Sequence, residues 1–227
     1  MKNWIRISFL LCSLCCFAQD VIVENLKDFD ELKVFNGLEV NLVKSDIQKL
    51  EIKGSKATQV AVRNKKGILK ISMKLKSLFD SKSVKIQLFY TGNIAELDAN
   101  QGALITSNEK FEQTQLNIDV QEGANIRLDV DVDYLKVKAV TGGNVYVSGK
   151  AKSQKVEIST GSNYNAADME TKQTDITVGT GADAQIYVQD ILDAKVKLGG
   201  TVTYRGNPKS IKTTKFLGGT IHEQEAE

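Results

Sequence analysis

The sequence predicts an all-β fold: a right-handed β-helix, or β-solenoid, with coils of about 20 residues and a less regular β portion at its N-terminal side. Three observations predict it. Beyond residue 20, apolar and polar residues alternate with period two in segment after segment, and no stretch sustains a helical stripe. Pro208 is the only proline of the chain, as expected where most residues must donate to a ladder. Finally, Gly102, Gly123, Gly143, Gly161, Gly181, Gly200 and Gly219 are spaced by 21, 20, 18, 20, 19 and 19 residues. Hairpins would repeat their turn chemistry about every 10 residues, the β-sandwich alternative. Here glycine marks only every second turn, and the intervening turns at 150–155, 169–174 and 189–193 are rich in Lys, Ser, Gln and Asp. One such coil cannot bury its inward side chains alone; stacked on its neighbours it completes a core and pairs its backbone.

The first element is a leader. Lys2 and Arg6 precede an uncharged run at 7–18 (ISFLLCSLCCFA) with small residues at Cys16 and Ala18, the pattern of a cleaved secretory signal. Its 12 residues fall short of the roughly 20 needed to span a bilayer. The residues before Cys15 and Cys16 match a lipidation site poorly, so cleavage after Ala18 is expected. Removing Lys2 and Arg6 equalises Lys+Arg with the 28 Asp+Glu, leaving no global field to attract nucleic acid. The leader also takes all three Cys (12, 15 and 16) and the single Trp4, so residues 19–227 hold no disulfide, thiol nucleophile or thiolate metal site. Export to the periplasm, the outer membrane or the cell exterior follows as the expected location.

Residues 19–227 read as one domain. Its less regular part alternates at 38–43 (LEVNLV), 50–52 (LEI), 60–62 (VAV), 68–75 (ILKISMKL) and 84–89 (VKIQLF), with a hairpin turn at Arg63-Asn64-Lys65-Lys66-Gly67. Residues 74–82 read equally as a loop or a helical turn. The regular part, about 102–221, repeats a glycine corner, a first alternation such as Ala124/Ile126/Leu128, and a second such as Leu135/Val137. Glycine suits the corners because it reaches positive φ without a Cβ clash.

These features resemble a known family. The opening FNGLEVNLVKSD (35–46), the early LEIKG (50–54) and the glycine-led units at 123–137, 142–149 and 179–196 are similar to the putative auto-transporter adhesin head GIN domain family, over roughly residues 30–220. The sequence departs from the family texture where Asn144 and Thr201 follow Gly143 and Gly200. The resemblance implies a β-helix-like fold and an adhesin-like role, and it brings no catalytic or binding residues.

Two surface groups are candidates for chemistry. Asp129, Asp131 and Asp133 alternate with Val130 and Val132, so they share a strand face, with Asp119 one coil earlier. Such a row offers oxygen ligands to Ca²⁺, or acids to a sugar, or is a solvent face balanced by Lys110, Lys136, Lys138 and Lys155. Tyr146, Tyr164, Tyr187 and Tyr204 follow their glycines by three to six residues and form a candidate aromatic binding flank. The glycine pairs match no phosphate loop, no nucleophile elbow occurs, and His222 is the only histidine. No cofactor is implied. The reading is thus a non-enzymatic, adhesin-like binding or scaffolding protein of the cell envelope, with a glycan or an envelope protein as partner. The alternatives are a polysaccharide-active enzyme using the surface aspartates and a self-associating structural accessory.

Overall fold

The computed structural model describes residues 21–74 and 83–224. The segment expected to be a leader, and most of the 74–82 segment read as loop or helical turn, lie outside the described residues. Strands β1 (Val21–Asn25), β2 (Glu31–Val34), β3 (Glu39–Lys44), β4 (Lys49–Lys53), β5 (Val60–Lys65), β6 (Ile68–Met73), β7 (Lys85–Tyr90) and β8 (Glu96–Ala99) come from the less regular part. The regular part supplies β9 (Leu104–Gln121), β10 (Asn125–Val140), β11 (Asn144–Ile158), β12 (Asn163–Gly179), β13 (Asp183–Lys197), β14 (Thr201–Arg205), β15 (Ser210–Phe216) and β16 (Thr220–Glu223). Together they build a β-solenoid of about 7 turns of ~19 residues.

From β9 onward each coil pairs in parallel with the next: β9 with β10, β10 with β11, β11 with β12, β12 with β13, and β13 with both β14 and β15. Each coil has two legs. The leg after the glycine corner, such as Asn144–Val147, is called here the first leg; the leg before the next corner, such as Gln154–Ile158, is the last. Inward residues of both legs form one continuous core, with Ile126, Leu135, Val145, Val178, Ala184 and Leu192 at 0 % exposure. At 25 cal/mol per Å² buried, a column of stacked Val, Ile and Leu is the main stabilising term.

The corners are tight turns with two successive residues at positive φ, the geometry of a type I′ turn. The pairs are Asn36-Gly37, Gln101-Gly102, Glu122-Gly123, Thr141-Gly142, Thr160-Gly161, Thr180-Gly181, Leu198-Gly199 and Leu217-Gly218. This shifts the expected register: the turning glycines are Gly142, Gly199 and Gly218, not Gly143, Gly200 and Gly219. The residue after each turning glycine faces inward and is small from Ala103 on: Ala103, Ala124, Gly143, Ser162, Ala182, Gly200 and Gly219. Gly143 shows why. A Cβ there would stand 2.6 Å from the Val120 carbonyl oxygen of the preceding coil. The apparent departure from the family texture at Gly143 and Gly200 therefore disappears once the corner is placed one residue earlier.

The less regular part joins the same stack, but not in chain order. On the last leg, β2 lies between β6 and β8, and β8 pairs with the end of β9. On the first leg, β3 lies between β7 and the start of β9. The coil β6–β7 thus sits outside the earlier coil β2–β3. Beyond it, antiparallel strands close the end: β4 against β7, β1 against β4, and β5 against β6 through the expected turn at Lys66-Gly67.

Candidate functional site

Parity along the first leg decides which side chains reach solvent. Counting from each turning glycine, the first, third and fifth residues point into the core and the second and fourth point out. The fourth-position residues align in register across seven strands: Thr106, Arg127, Tyr146, Asn165, Gln185, Thr203 and His222. Neighbours in this row are about 4.8 Å apart. Each carries a hydroxyl, amide, guanidinium, phenol or imidazole. The Arg127 guanidinium carbon lies 5.0 Å from the centroid of the Tyr146 ring, a stacked cation–π pair. At the far end of the row, Thr203 Oγ1 and His222 Nε2 are 2.9 Å apart.

Beside the Arg127–Tyr146 pair runs a shallow trough of about 360 Å³ with a floor of Leu128 and Val147. Ser107, Asp129, Ser148, Asn165 and Asp168 complete its walls. Asp168 belongs to a bulge, where the pairing of β12 with β13 slips between Ala166 and Glu170. Arg205 holds that bulge. Its Nε and Nη2 donate to the Ala167 carbonyl, and Nη2 also donates to Asp168 Oδ1 at 2.8 Å. On the opposite wall Lys110 Nζ stands 3.7 Å from Asp129 Oδ2. The trough therefore offers a stacked ring, one carboxylate facing a lysine on the adjacent strand and another held by an arginine two strands away, and the hydroxyl and amide groups of Ser148 and Asn165.

The sequence-predicted tyrosine flank is split. Tyr146 and Tyr187 stand on the outer face, with Arg205 lying 6.0 Å from the Tyr187 ring centroid. Tyr164 and Tyr204 point inward, at 1 % and 9 % exposure. Burial pushes the Tyr164 phenol far above its usual range. Its hydroxyl donates to Gln154 Oε1 at 2.6 Å, and Gln154 Nε2 donates to Thr174 Oγ1 at 3.0 Å. Thr171 closes this buried polar group by donating to the Tyr187 carbonyl at 2.6 Å.

The aspartates are divided as well. Asp133 pairs with Lys152 at 2.6 Å, Asp129 faces Lys110, and Asp131 lies in register with Lys150. Asp119 is elsewhere, on the last leg, beside Lys33, Glu96, Asp98 and Lys138 around a hollow of about 210 Å³. Burial, followed by the charges of Glu96 and Asp98, raises its carboxyl above the ordinary range despite Lys138 and Lys136. Lys33 donates to both Glu96 and Asp98, at 3.3 and 3.2 Å; these contacts raise its ammonium pKa against the opposing effect of partial burial. Among the described residues, no group of three or more His, Cys, Asp or Glu side chains is placed to hold a metal ion. The four aspartates do not converge on one groove, which the polysaccharide-enzyme alternative requires. Sequence reasoning missed Arg127, Asn165, Gln185, Thr203 and His222 as a row, although counting from the true turning glycine finds all of them.

Comparison with known proteins now decides the family. The model of the putative auto-transporter adhesin, head GIN domain matches residues 28–208. The chain belongs to this family. Among solved structures, a putative adhesin from Bacteroides fragilis shares 18 % identity and a TM-score of 0.82, covering 90 % of this chain and 97 % of its own. A putative adhesin from Parabacteroides merdae shares 18 % identity and a TM-score of 0.71, covering 91 % and 96 %. A protein described as a putative lipid binding protein, from Parabacteroides distasonis, shares 16 % identity and a TM-score of 0.71 over the same shares. At these identities the likeness of the GIN domain chain to its neighbours is one of fold. No curated protein matches the sequence. None of the helices among the described residues is long and apolar enough to cross a membrane.

Proposed function

We propose that this GIN domain protein is exported to the cell envelope and acts there as an adhesin-like, non-enzymatic recognition module. Its contact face is the outward row of the first leg, centred on Arg127 and Tyr146, and its ligand is an extended polar polymer such as a glycan chain. The observation that carries this reading is the stacked Arg127–Tyr146 pair over a shallow trough whose walls offer carboxylate, hydroxyl and amide groups. A sugar ring packs its C–H face on an aromatic side chain, while Asp, Asn and Arg bond its hydroxyls in the plane. The row continues beyond the trough along the coil axis, so successive monosaccharides would meet successive strands. Membership of an adhesin family supports the binding role, and the leader pattern at 7–18 supports export.

A binding screen of residues 19–227 against glycans and envelope polysaccharides tests this. Tyr146→Ala and Arg127→Ala are expected to weaken any ligand found by about tenfold or more, as central aromatic and arginine anchors do. Binding that survives both substitutions unchanged would remove the first-leg face from consideration. Mass spectrometry of the protein recovered from the envelope should show an N-terminus at Gln19; an intact leader would sink the export reading.

A further inference from the structure

The two outward faces of the coil differ in chemistry. On the last leg, Lys136, Lys155, Asp175, Asp193 and Lys212 stand in register as one column, and Asp119, Lys138, Glu157 and Lys195 belong to the column beside it. Charges of both signs are what a solvated strand face carries. On the first leg, Arg127 is the only Lys, Arg, Asp or Glu of the fourth-position row. The second-position row, Asn125, Asn144, Asn163, Asp183, Thr201 and Thr220, contains only Asp183. Both faces are built on the same coils, so strand pairing and core packing do not explain the difference. Loss of charge with hydrogen-bonding groups retained marks a surface kept for contact.

The first-leg face is also a regular grid. Its strands pair without a slip across both rows; the register shifts come after them, between Arg127 and Asp129, Tyr146 and Gly149, and Ala166 and Glu170. The rows lie about 7 Å apart, and each repeats every ~4.8 Å. Neighbouring groups set the asparagines in place: Asn125 and Asn144 donate to the Gly123 and Gly142 carbonyls at 3.2 and 3.0 Å, and Asn163 donates to Asn144 Oδ1 at 2.8 Å.

We infer that this face is specific for a neutral, β-(1→4)-linked hexopyranose chain lying along the coil axis. The inference rests on the glycan-contact reading above and adds charge and linkage to it. Equatorial bonds at both ends of each ring keep such a chain extended. It advances by one ring length per sugar, close to the ~4.8 Å between strands. An α-(1→4) chain curls away from a flat grid. Amides and hydroxyls donate and accept at each sugar without a charge to match. Asp129 and Asp168 on the trough walls accept from hydroxyls but repel a polyuronate.

Calorimetric titration of residues 19–227, which contain every described element, tests this with cellohexaose, mannohexaose and chitohexaose. Maltohexaose supplies the α-linkage, and a β-(1→4)-linked mannuronate hexamer supplies the charge. At least one neutral β-linked hexaose should bind about tenfold or more tightly than its own trisaccharide, maltohexaose or the mannuronate. Gln185→Ala with Thr203→Ala lies two and three strands to one side of Tyr146, and Thr106→Ala with Asn41→Ala lies to the other. At least one of these double variants should cost the hexaose about tenfold and leave the trisaccharide unchanged. Preference for maltohexaose, the mannuronate or a glycan of another linkage overturns the inference, as does the absence of a gain with length or of an effect in both double variants. Each of those results leaves a glycan-contact face standing. Failure to bind any glycan in the wider screen overturns the glycan reading itself.

Discussion

Replacing Tyr164 by Phe removes one oxygen from the middle of the coil stack and leaves its ring in place. In the folded protein that oxygen donates to Gln154 Oε1 at 2.6 Å, and both residues are all but sealed from solvent, at 1 % and 2 % exposure. After the substitution the Gln154 oxygen has no donor and no water to replace it, which costs about 1–3 kcal/mol. A domain of this size shifts by about 2–4 °C per kcal/mol, so the melting temperature should fall by about 2–12 °C. Urea unfolding followed by far-ultraviolet circular dichroism reads the loss directly and does not depend on tyrosine emission. The double variant Tyr164→Phe, Gln154→Leu should recover much of it. Thr174 then still donates to Thr171 Oγ1 at 2.9 Å, and Thr171 to the Tyr187 carbonyl, so no buried group is orphaned. A single variant within about 0.5 kcal/mol of wild type, or a double variant worse than the single, would refute the assignment of Tyr164 to a satisfied buried network.

Two further outcomes follow from the corner and the acidic hollow. Gly143→Ala should destabilise by more than about 2 kcal/mol because its Cβ meets the Val120 carbonyl. Gly123→Ala, with open space around it but φ at 72°, should lose only about 1 kcal/mol; equal losses in urea titrations would contradict the close approach. Asp119 has its carboxyl pKa raised in the folded state, so the folded chain holds its proton more tightly than the unfolded one does. Its contribution therefore falls as pH rises through the carboxylate range, and Asp119→Asn should raise the melting temperature at about pH 7 and not at about pH 3. A gain equal at both pH values would point to packing instead of charge.

The coil architecture is legible because the I′ corner has a strong chemical demand: its second residue needs positive φ, and glycine supplies it at a near-constant interval. The same signal misplaces the tyrosines. In Gly142-Gly143 and Gly199-Gly200 the second glycine answers a different demand, the close approach of the preceding coil, and choosing it as the corner shifts the count by one. Tyr146 and Tyr164 then both sit three residues on and look equivalent. From the turning glycines Gly142 and Gly161 they are four and three residues on, hence outside and inside. Asp119 escapes for another reason. Its neighbours Glu96 and Asp98 lie one coil back in sequence, but Lys33 is brought to them by a pairing that skips the whole segment between β3 and β8. No local periodicity marks that jump.

That jump also sets an order of events for the folding chain. In β9 through β16 each new coil finds its partner about 19 residues behind it, so short loops close one after another. β2 and β3 emerge early, yet their partners β6, β7, β8 and β9 lie as much as 65 residues further on, as in the Thr106–Asn41 hydrogen bond. The beginning of the chain must wait for its own insertion to fold back. Nucleation is therefore expected in the regular coils, with the N-terminal end sealing last, and hydrogen exchange during refolding should protect β10–β13 before β2 and β3.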